Sequence, residues 1–290
     1  MGSDVLSRFK HPVLNIEYPV SSIQYPASGI QYLASSIEHP DFMKIAFISD
    51  IHANLEALEA VLDEIDKENI SLIVNLGDLV GYNASPRECV DLVKERQIIS
   101  ILGNHDRAAI KLKFAEGFNI LAYQALVWSS KSLAPEHKRF LKDLKHTRLL
   151  WDRYLLFHGA PGNPDAYLSF LFQAKKAFNY MRKKTPGVRI GFFGHTHHRA
   201  VWQRDVRGKV SRLEMSQDDL LLDPEQMYLI NPGSVGQPRQ KQWKASYLIF
   251  SNEMETIQFR SVAYDLHSAQ AKIRAAQLPE YLAERLETGV

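Results

Sequence analysis

The chain has 290 residues, 45% of them hydrophobic and 23% charged, with 35 Lys and Arg against 33 Asp and Glu. That composition belongs to an ordinary globular protein, and a net charge of +2 gives no electrostatic reason to expect nucleic acid or an anionic membrane as the main partner. One cysteine, Cys89, excludes an internal disulfide framework and a cysteine-ligated zinc site, and fits a reducing, cytoplasmic location. No window reaches the roughly 18–20 apolar residues of a membrane span, and Met1–Lys10 lacks the apolar core of a secretory signal.

Residues 1–42 differ from everything after them. Ile16, Ile23, Ile30 and Ile37 recur in a tandem seven-residue repeat, I-E-Y-P-V-S-S followed by I-Q-Y-P-A-S-G and I-Q-Y-L-A-S-S. A coiled coil is excluded by Pro12, Pro19, Pro26, Pro40 and Gly29, which would break any helix there. The segment reads as a low-complexity extension, disordered or not native coding sequence, with Met43 as the true start. The other reading is a strand-forming pairing segment, since Ile, Tyr and Ser repeat in register.

From Met43 the pattern changes. Lys44–Ser49 is a short β-branched run that predicts a buried strand, and Leu55, Leu58, Val61, Leu62 and Ile65 come next at helical spacing. Leu72–Leu76 predicts the next strand, and Ser85-Pro86-Arg87-Glu88 opens a helix with a capping-box pattern. Further strands are expected at Ile98–Leu102, Tyr154–Phe157, Ile190–Phe193, Tyr228–Ile230 and Ser246–Phe250. Helices are expected over about 118–145 and 169–184, and at Asp265–Gln277 and Pro279–Leu286. Strands alternate with helices early and cluster late, so the class is mixed α/β with more than one sheet, in one domain over residues 43–290.

The residues that carry chemistry stand just past the strand ends. Asp50-Ile-His52 comes after the first strand and Gly77-Asp78 after the second; Gly103-Asn104-His105-Asp106, His158-Gly159 and Gly194-His195-Thr196-His197 come after later ones. Ligand sites of open α/β sheets lie outside the carboxyl ends of strands, where these carboxylates, imidazoles and carboxamide would converge. Mixed imidazole and carboxylate donors suit divalent ions such as Mn²⁺, Fe²⁺ or Zn²⁺.

D-x-H, G-D, G-N-H-D, H-G and G-H-T-H, in this order, resemble the calcineurin-like binuclear metallophosphoesterases. The opening M-K-I-A-F-I-S-D-I-H-A-N-L-E-A-L, the later I-N-P-G-S-V-G-Q-P-R and the terminal R-A-A-Q-L-P-E-Y-L-A-E-R-L are similar to the bacterial and archaeal phosphodiesterase-like branch. The resemblance implies a four-layer α-β-β-α sandwich of two sheets flanked by helices. It implies two divalent metal ions, with Mn²⁺ the first choice for activity in vitro. Asp50, His52 and His197 would hold the first metal, Asn104, His158 and His195 the second, and Asp78 would bridge them. If residues 195–197 are extended, alternate side chains point apart, so His195 and His197 suit two metals better than one. The implied reaction is hydrolysis of a phosphodiester or nucleotide-type substrate by a metal-bridging hydroxide. The alternatives are a phosphomonoesterase acting on small molecules and a non-catalytic protein-binding scaffold on the same fold.

Beside the ligand set, His105 is the candidate for protonating the leaving alkoxide, with Asp106 orienting its ring. Tyr82, Asn83 and Arg107 are candidate substrate contacts. Protein Ser/Thr phosphatases of the broad family carry G-D-x-V-D-R-G where this chain has Gly77-Asp78-Leu79-Val80-Gly81-Tyr82-Asn83, so the acidic and arginine partners of that motif are replaced by Gly81 and Tyr82. Arg239, Lys241 and Lys244 surround Trp243 in a basic loop, read first as solvated and second as a phosphate contact. His198 has no place in the pattern. The expected partner is a small phosphoester or nucleotide, with neither stable nucleic-acid binding nor a membrane.

Overall fold

A computed structural model describes residues 31–32, 43–70, 72–214 and 218–290. The expected extension over 1–42 therefore lies outside the described residues, apart from Gln31–Tyr32. Along the chain run β1 (Gln31–Tyr32), β2 (Lys44–Ile48), α1 (Leu55–Lys67), β3 (Leu72–Asn75), α2 (Pro86–Glu95) and β4 (Ile99–Ser100). Next come α3 (Asn104–Ile110), a 3₁₀ turn at Leu112–Ala115, α4 (Ile120–Ser132), α5 (Pro135–Asp143), β5 (Thr147–Leu150) and β6 (Tyr154–Phe157). After these are α6 (Leu171–Lys184), β7 (Ile190–Phe193), β8 (Arg199–Arg204), β9 (Val210–Arg212) and β10 (Asp219–Leu221). The described chain closes with β11 (Met227–Pro232), β12 (Ala245–Ser251), β13 (Thr256–Val262), α7 (Leu266–Ala275) and α8 (Glu280–Thr288).

The strands form two sheets, ordered β1-β5-β6-β7-β11-β8-β9 and β10-β13-β12-β2-β3-β4. Side chains alternate across each strand, and the alternation builds the layers. In β2, Ile45 and Phe47 face the other sheet while Ala46 and Ile48 face helices. In β7, Ile190 and Phe192 face inward between the sheets and Phe193 faces outward toward α6. Helices α1, α2, α4, α5, α7 and α8 cover one sheet and α6 the other, giving the expected four layers. The rings of Phe47 and Phe192 stack at 3.7 Å across the gap, with Tyr154 and Phe250 packed edge-on beside them.

Parallel pairing of β2 with β3 and of β3 with β4 aligns three carboxyl ends in one sheet, and β6 with β7 aligns two in the other. These five ends open into one space.

Several sequence expectations change in detail. The helical stretch over 118–145 is two helices, because Pro135 cannot continue the hydrogen-bond ladder and its ring forces Ala134 into extended backbone. Ser85 makes no side-chain cap, although Pro86 does occupy the first helical turn. Asn54, by contrast, caps α1 by accepting from the Ala57 N–H at 3.1 Å. Strands β5, β8, β9, β10 and β13 went unpredicted; β13 alternates buried with part-buried residues and has no continuous apolar run.

Truncating Phe47 to Ala removes the inter-sheet stack and should cost about 3–5 kcal/mol. Urea unfolding of the two proteins measures it.

Candidate metal centre

All seven candidate ligands are buried: Asp50, His52, Asp78, Asn104, His158, His195 and His197. Five of the seven, Asp50, His52, Asp78, His195 and His197, have left-handed backbone with φ between 49° and 68°. Such conformations cost about 1–3 kcal/mol each outside glycine and persist only where surrounding structure enforces them. Here the enforcement is visible. The loops after β2 and β3 are laced together by Asp50 N–H to the Gly77 carbonyl (3.0 Å), His52 N–H to Asp78 (2.9 Å) and Ala53 N–H to Leu79 (2.8 Å). The His195 N–H donates to both Asp50 carboxylate oxygens at 3.1 Å, tying the two sheets together.

The turns at His195 and His197 correct the expectation of an extended segment, yet the two rings do diverge. His197 joins Asp50 and His52 in one group of donor atoms, and His195 joins Asp78 and His158 in another. A third grouping places His105 with His52 and Asp78, closer to the cluster than a residue outside the ligand set need be.

Hydrogen bonding fixes the tautomers. The Nδ1 atoms of His52, His158 and His197 face the carbonyl oxygens of Val80 (3.1 Å), Leu76 (2.7 Å) and Gln237 (2.6 Å). A carbonyl only accepts, so each ring carries a proton on Nδ1 and turns Nε2 into the site, a bare lone pair in His52 and His197. The Nε2 atoms of His52 and His197 lie 3.0 Å apart, two acceptors facing each other. His158 Nε2 lies 3.1 Å from both Asn104 Oδ1 and Asp78 Oδ2. Asp78 Oδ1 is taken by the His105 N–H at 2.9 Å, whereas Oδ2 faces only ring nitrogens, that of His158 and, at 3.6 Å, His52 Nε2. His195 Nε2 is buried without a partner. Lone pairs crowded in a dry pocket repel one another, and cations are what such a donor set accommodates. The residues present fit divalent metal ions.

Electrostatics agree. Burial drives His52 and His197 well below the usual imidazole range and His195 down to about 3, keeping them neutral as metal ligation requires. Burial opposes a charge on His158 as well, but the Asp78 carboxylate overrides it and lifts the ring to about 9. Burial pushes Asp50 up to about 7. Burial also opposes ionisation of Asp78, yet the surrounding His158, His105 and His52 hold its carboxyl well below the usual range.

The sequence model of the calcineurin-like phosphoesterase superfamily domain matches residues 43–255. The chain belongs to this superfamily. An uncharacterised protein of Methanocaldococcus jannaschii is 38% identical over 250 residues, 84% of this chain and 98% of that one. A metallophosphoesterase structure from Sphaerobacter thermophilus superposes with a TM-score of 0.73 at 35% identity, covering 86% of this chain and 100% of that one. A hypothetical protein from Pyrococcus horikoshii shares the fold, with a TM-score of 0.69 at 20% identity over 86% of this chain and 99% of that one.

Among the superfamily motifs, the residues next to the ligands hold corrections. Asp106 does not face the His105 ring. Its carboxylate accepts from the backbone N–H groups of Leu79 and Val80 on Oδ1 and of Asp78 and Gly103 on Oδ2, at 2.8–3.1 Å. It holds the loop that carries Asp78. Asn83 is buried and its amide nitrogen donates to the carbonyls of His52 (2.8 Å) and Gly236 (3.3 Å), so it fixes loops. The Tyr82 ring is buried against His52 and His105, each 4.7 Å away, with the Arg285 guanidinium over it at 5.8 Å. No face is left for a base to stack on. Arg107 is drawn aside into an ion pair with Asp165 at 2.6 Å. His198 is exposed.

Gly81 explains the altered second motif. Its φ is +96°, and a Cβ there would lie 2.5 Å from His105 Nδ1, so glycine is what leaves room for this ring. One site residue escaped the sequence reading, and another was read first as solvated. Tyr167 lies 4.2 Å from the His195 ring and remains 49% exposed, but its A-Y-L-S-F context carries no motif. Arg239, expected to be solvated, acts on the cluster: after burial, its charge is the largest influence on His197.

Because a metal takes neutral His158 and ionised Asp50, metal binding at pH 7 should release roughly one to two protons. That number should fall as pH rises through about 9, where His158 is already deprotonated. Calorimetric titration in buffers of different ionisation enthalpy counts them. Asp106→Ala strands four backbone donors and should lower stability by about 2–4 kcal/mol. It should also weaken metal binding about 10- to 100-fold, read by equilibrium dialysis, since Asp78 loses its support.

Proposed function

We propose that the chain is a binuclear metal-dependent phosphoesterase acting on phosphodiester or nucleotide-type substrates. Asp50, His52 and His197 would hold one ion and Asn104, His158 and His195 the other, with Asp78 shared between them. The observation that carries this reading is the set of bare acceptors, above all the 3.0 Å approach of two Nε2 lone pairs in His52 and His197. When bound, two such ions lower the pKa of coordinated water and clamp the oxygens of an in-line displacement. Mn²⁺, Fe²⁺ or Zn²⁺ suits the mixed donors, with Mn²⁺ the choice for assays.

The chain's own groups do the rest. His105 sits at the first turn of α3 with Nδ1 packed against Gly81 and without a hydrogen-bond partner, so no bond within the chain commits its ring proton. Burial lowers this ring to about 4, against the pull of Asp78, so it meets substrate neutral. The negative charge of the arriving ester adds to that of Asp78 and raises the proton affinity of the ring, which takes a proton from solvent and passes it to the departing alkoxide. Asp106 and Asn83 hold the loops on which Asp78 and His52 ride. The half-exposed Tyr167 ring beside His195 offers a face to a nucleobase, which favours nucleotide-type substrates over bare phosphomonoesters.

No described helix is long and apolar enough to cross a membrane. A cytoplasmic enzyme meeting small phosphoesters or nucleotides agrees with that and with the single, buried Cys89.

Protein stripped by chelation should hydrolyse bis-p-nitrophenyl phosphate only after Mn²⁺ is restored. Clear preference for p-nitrophenyl phosphate would overturn the phosphodiester assignment. His105→Ala should lower kcat about 10²- to 10⁴-fold on a dinucleotide, whose alkoxide needs a proton. The loss should be much smaller on bis-p-nitrophenyl phosphate, whose phenolate leaves unaided. Equal losses on the two substrates would remove His105 from the acid role.

A further inference from the structure

We propose that Arg239 and Arg285 form a subsite for a second phosphate directly linked to the reacting one, so that the substrate is a nucleoside diphosphate-type ester. This rests on the phosphoesterase reading above and narrows it.

The two arginines come from distant parts of the chain. Arg239 lies after β11 in the loop whose Gln237 carbonyl orients His197. Its Nη2 donates to Gln237 Oε1 at 3.2 Å, and its Nε is buried without a partner. Arg285 lies on α8, with its guanidinium over Tyr82 at 5.8 Å and over Tyr281 at 5.7 Å. Tyr82 in turn touches His52 and His105, so Arg285 stands one ring away from the donor cluster. Both arginines act on that ring: burial pushes the Tyr82 hydroxyl up, and Arg239 and then Arg285 pull it down. They also act on each other, since Arg285 is lowered first by burial and then by the charge of Arg239.

Among the described residues, no side-chain carboxylate lies within 4.0 Å of either guanidinium. Other arginines of the fold do have acidic partners at that range, Arg107, Arg189 and Arg274 among them. Arg285 Nε donates to the Val290 oxygen at 3.0 Å, which leaves its Nη groups, together with the partnerless Nε of Arg239, for a bridging phosphate; two neighbouring guanidiniums repel until such an anion is bound. Their placement is enforced. Gly289 ends α8 in left-handed backbone at φ +64°, and its carbonyl accepts the Lys241 N–H at 3.0 Å. A Cβ at Gly289 would overlap the Gln242 carbonyl, so the helix end and the Arg239 loop are seated directly on one another. Arg239, nearer the donor cluster, meets the reacting phosphate and shares the next one with Arg285.

The test is competitive inhibition of Mn²⁺-dependent bis-p-nitrophenyl phosphate hydrolysis by adenosine 5′-monophosphate and adenosine 5′-diphosphate. Wild-type protein should bind the diphosphate roughly tenfold or more tightly than the monophosphate, as expected for an added charge-assisted contact. Arg285→Gln should collapse that ratio to about one, and Arg285→Lys should retain part of it. Thermal melting shows that each variant is folded. Equal inhibition by the two nucleotides in the wild type, or an unchanged ratio in Arg285→Gln, would overturn the subsite and leave the phosphoesterase reading standing. Absence of any bis-p-nitrophenyl phosphate hydrolysis would overturn both.

Discussion

The structure is organised around a repulsion. Ring nitrogens and carboxylate and carboxamide oxygens, most of them acceptors, converge in one desolvated space, and the chain satisfies only some of them. Desolvated lone pairs at hydrogen-bond distance disfavour the folded state, so they must be held from behind. The backs of three imidazoles are pinned to the carbonyls of Leu76, Val80 and Gln237. Five of the seven ligand backbones are forced into left-handed conformation by the lacing of neighbouring loops. The aromatic layer between the sheets, with Phe47 against Phe192, fixes how the two sets of strand ends face each other. Core packing therefore sets the spacing of the donors.

Around that cluster, polar residues divide the work between holding and reacting. Asp106 spends its carboxylate on four backbone donors, and a group so engaged is poorly placed to orient a neighbouring ring. Asn54 and Asn83 both donate to the Gly236 carbonyl, which joins the loop after β2 to the loop after β11. His105 is the contrasting case, anchored by its backbone N–H on Asp78 while its ring Nδ1 has no partner. The difference between a held and an unheld buried nitrogen is what separates support from chemistry here.

The legible part of the sequence was the part with a local signature. Apolar runs ending in Asp, His or Asn marked five strand ends, and the strands at Tyr154–Phe157 and Ile190–Phe193 have the predicted bounds. The four layers came with the family resemblance and agree with the packing of Ile45 and Ala46 on opposite faces of β2. What stayed hidden depends on contacts distant in sequence. Nothing local to Asp106 announces that its acceptors' partners lie in residues 78–80. Asn83 sits one residue after Tyr82, yet its reach to Gly236 spans most of the domain. Tyr167 becomes part of the site only because the loop after β6 folds back over His195.

The second motif shows how a local change is offset elsewhere in the fold. Protein phosphatases of the broad family have an aspartate and an arginine where this chain has Gly81 and Tyr82. Gly81 vacates the volume that the His105 ring occupies, and Tyr82 seals the ring's flank, so neither can grip an anion. A phosphoester site still requires positive charge beyond its ions to hold and orient its substrate. Arg107, the nearest arginine in sequence, is committed to Asp165. Arg239 and Arg285 lack side-chain carboxylate partners and border the same tyrosine, so the grip moves from the second strand's loop to the last loop and last helix of the fold. A cation delivered from there approaches over Tyr82, the ring that packs against His105. Anion binding and proton delivery are thereby brought to one edge of the donor cluster, an arrangement suited to an ester whose charge continues past the reacting phosphorus.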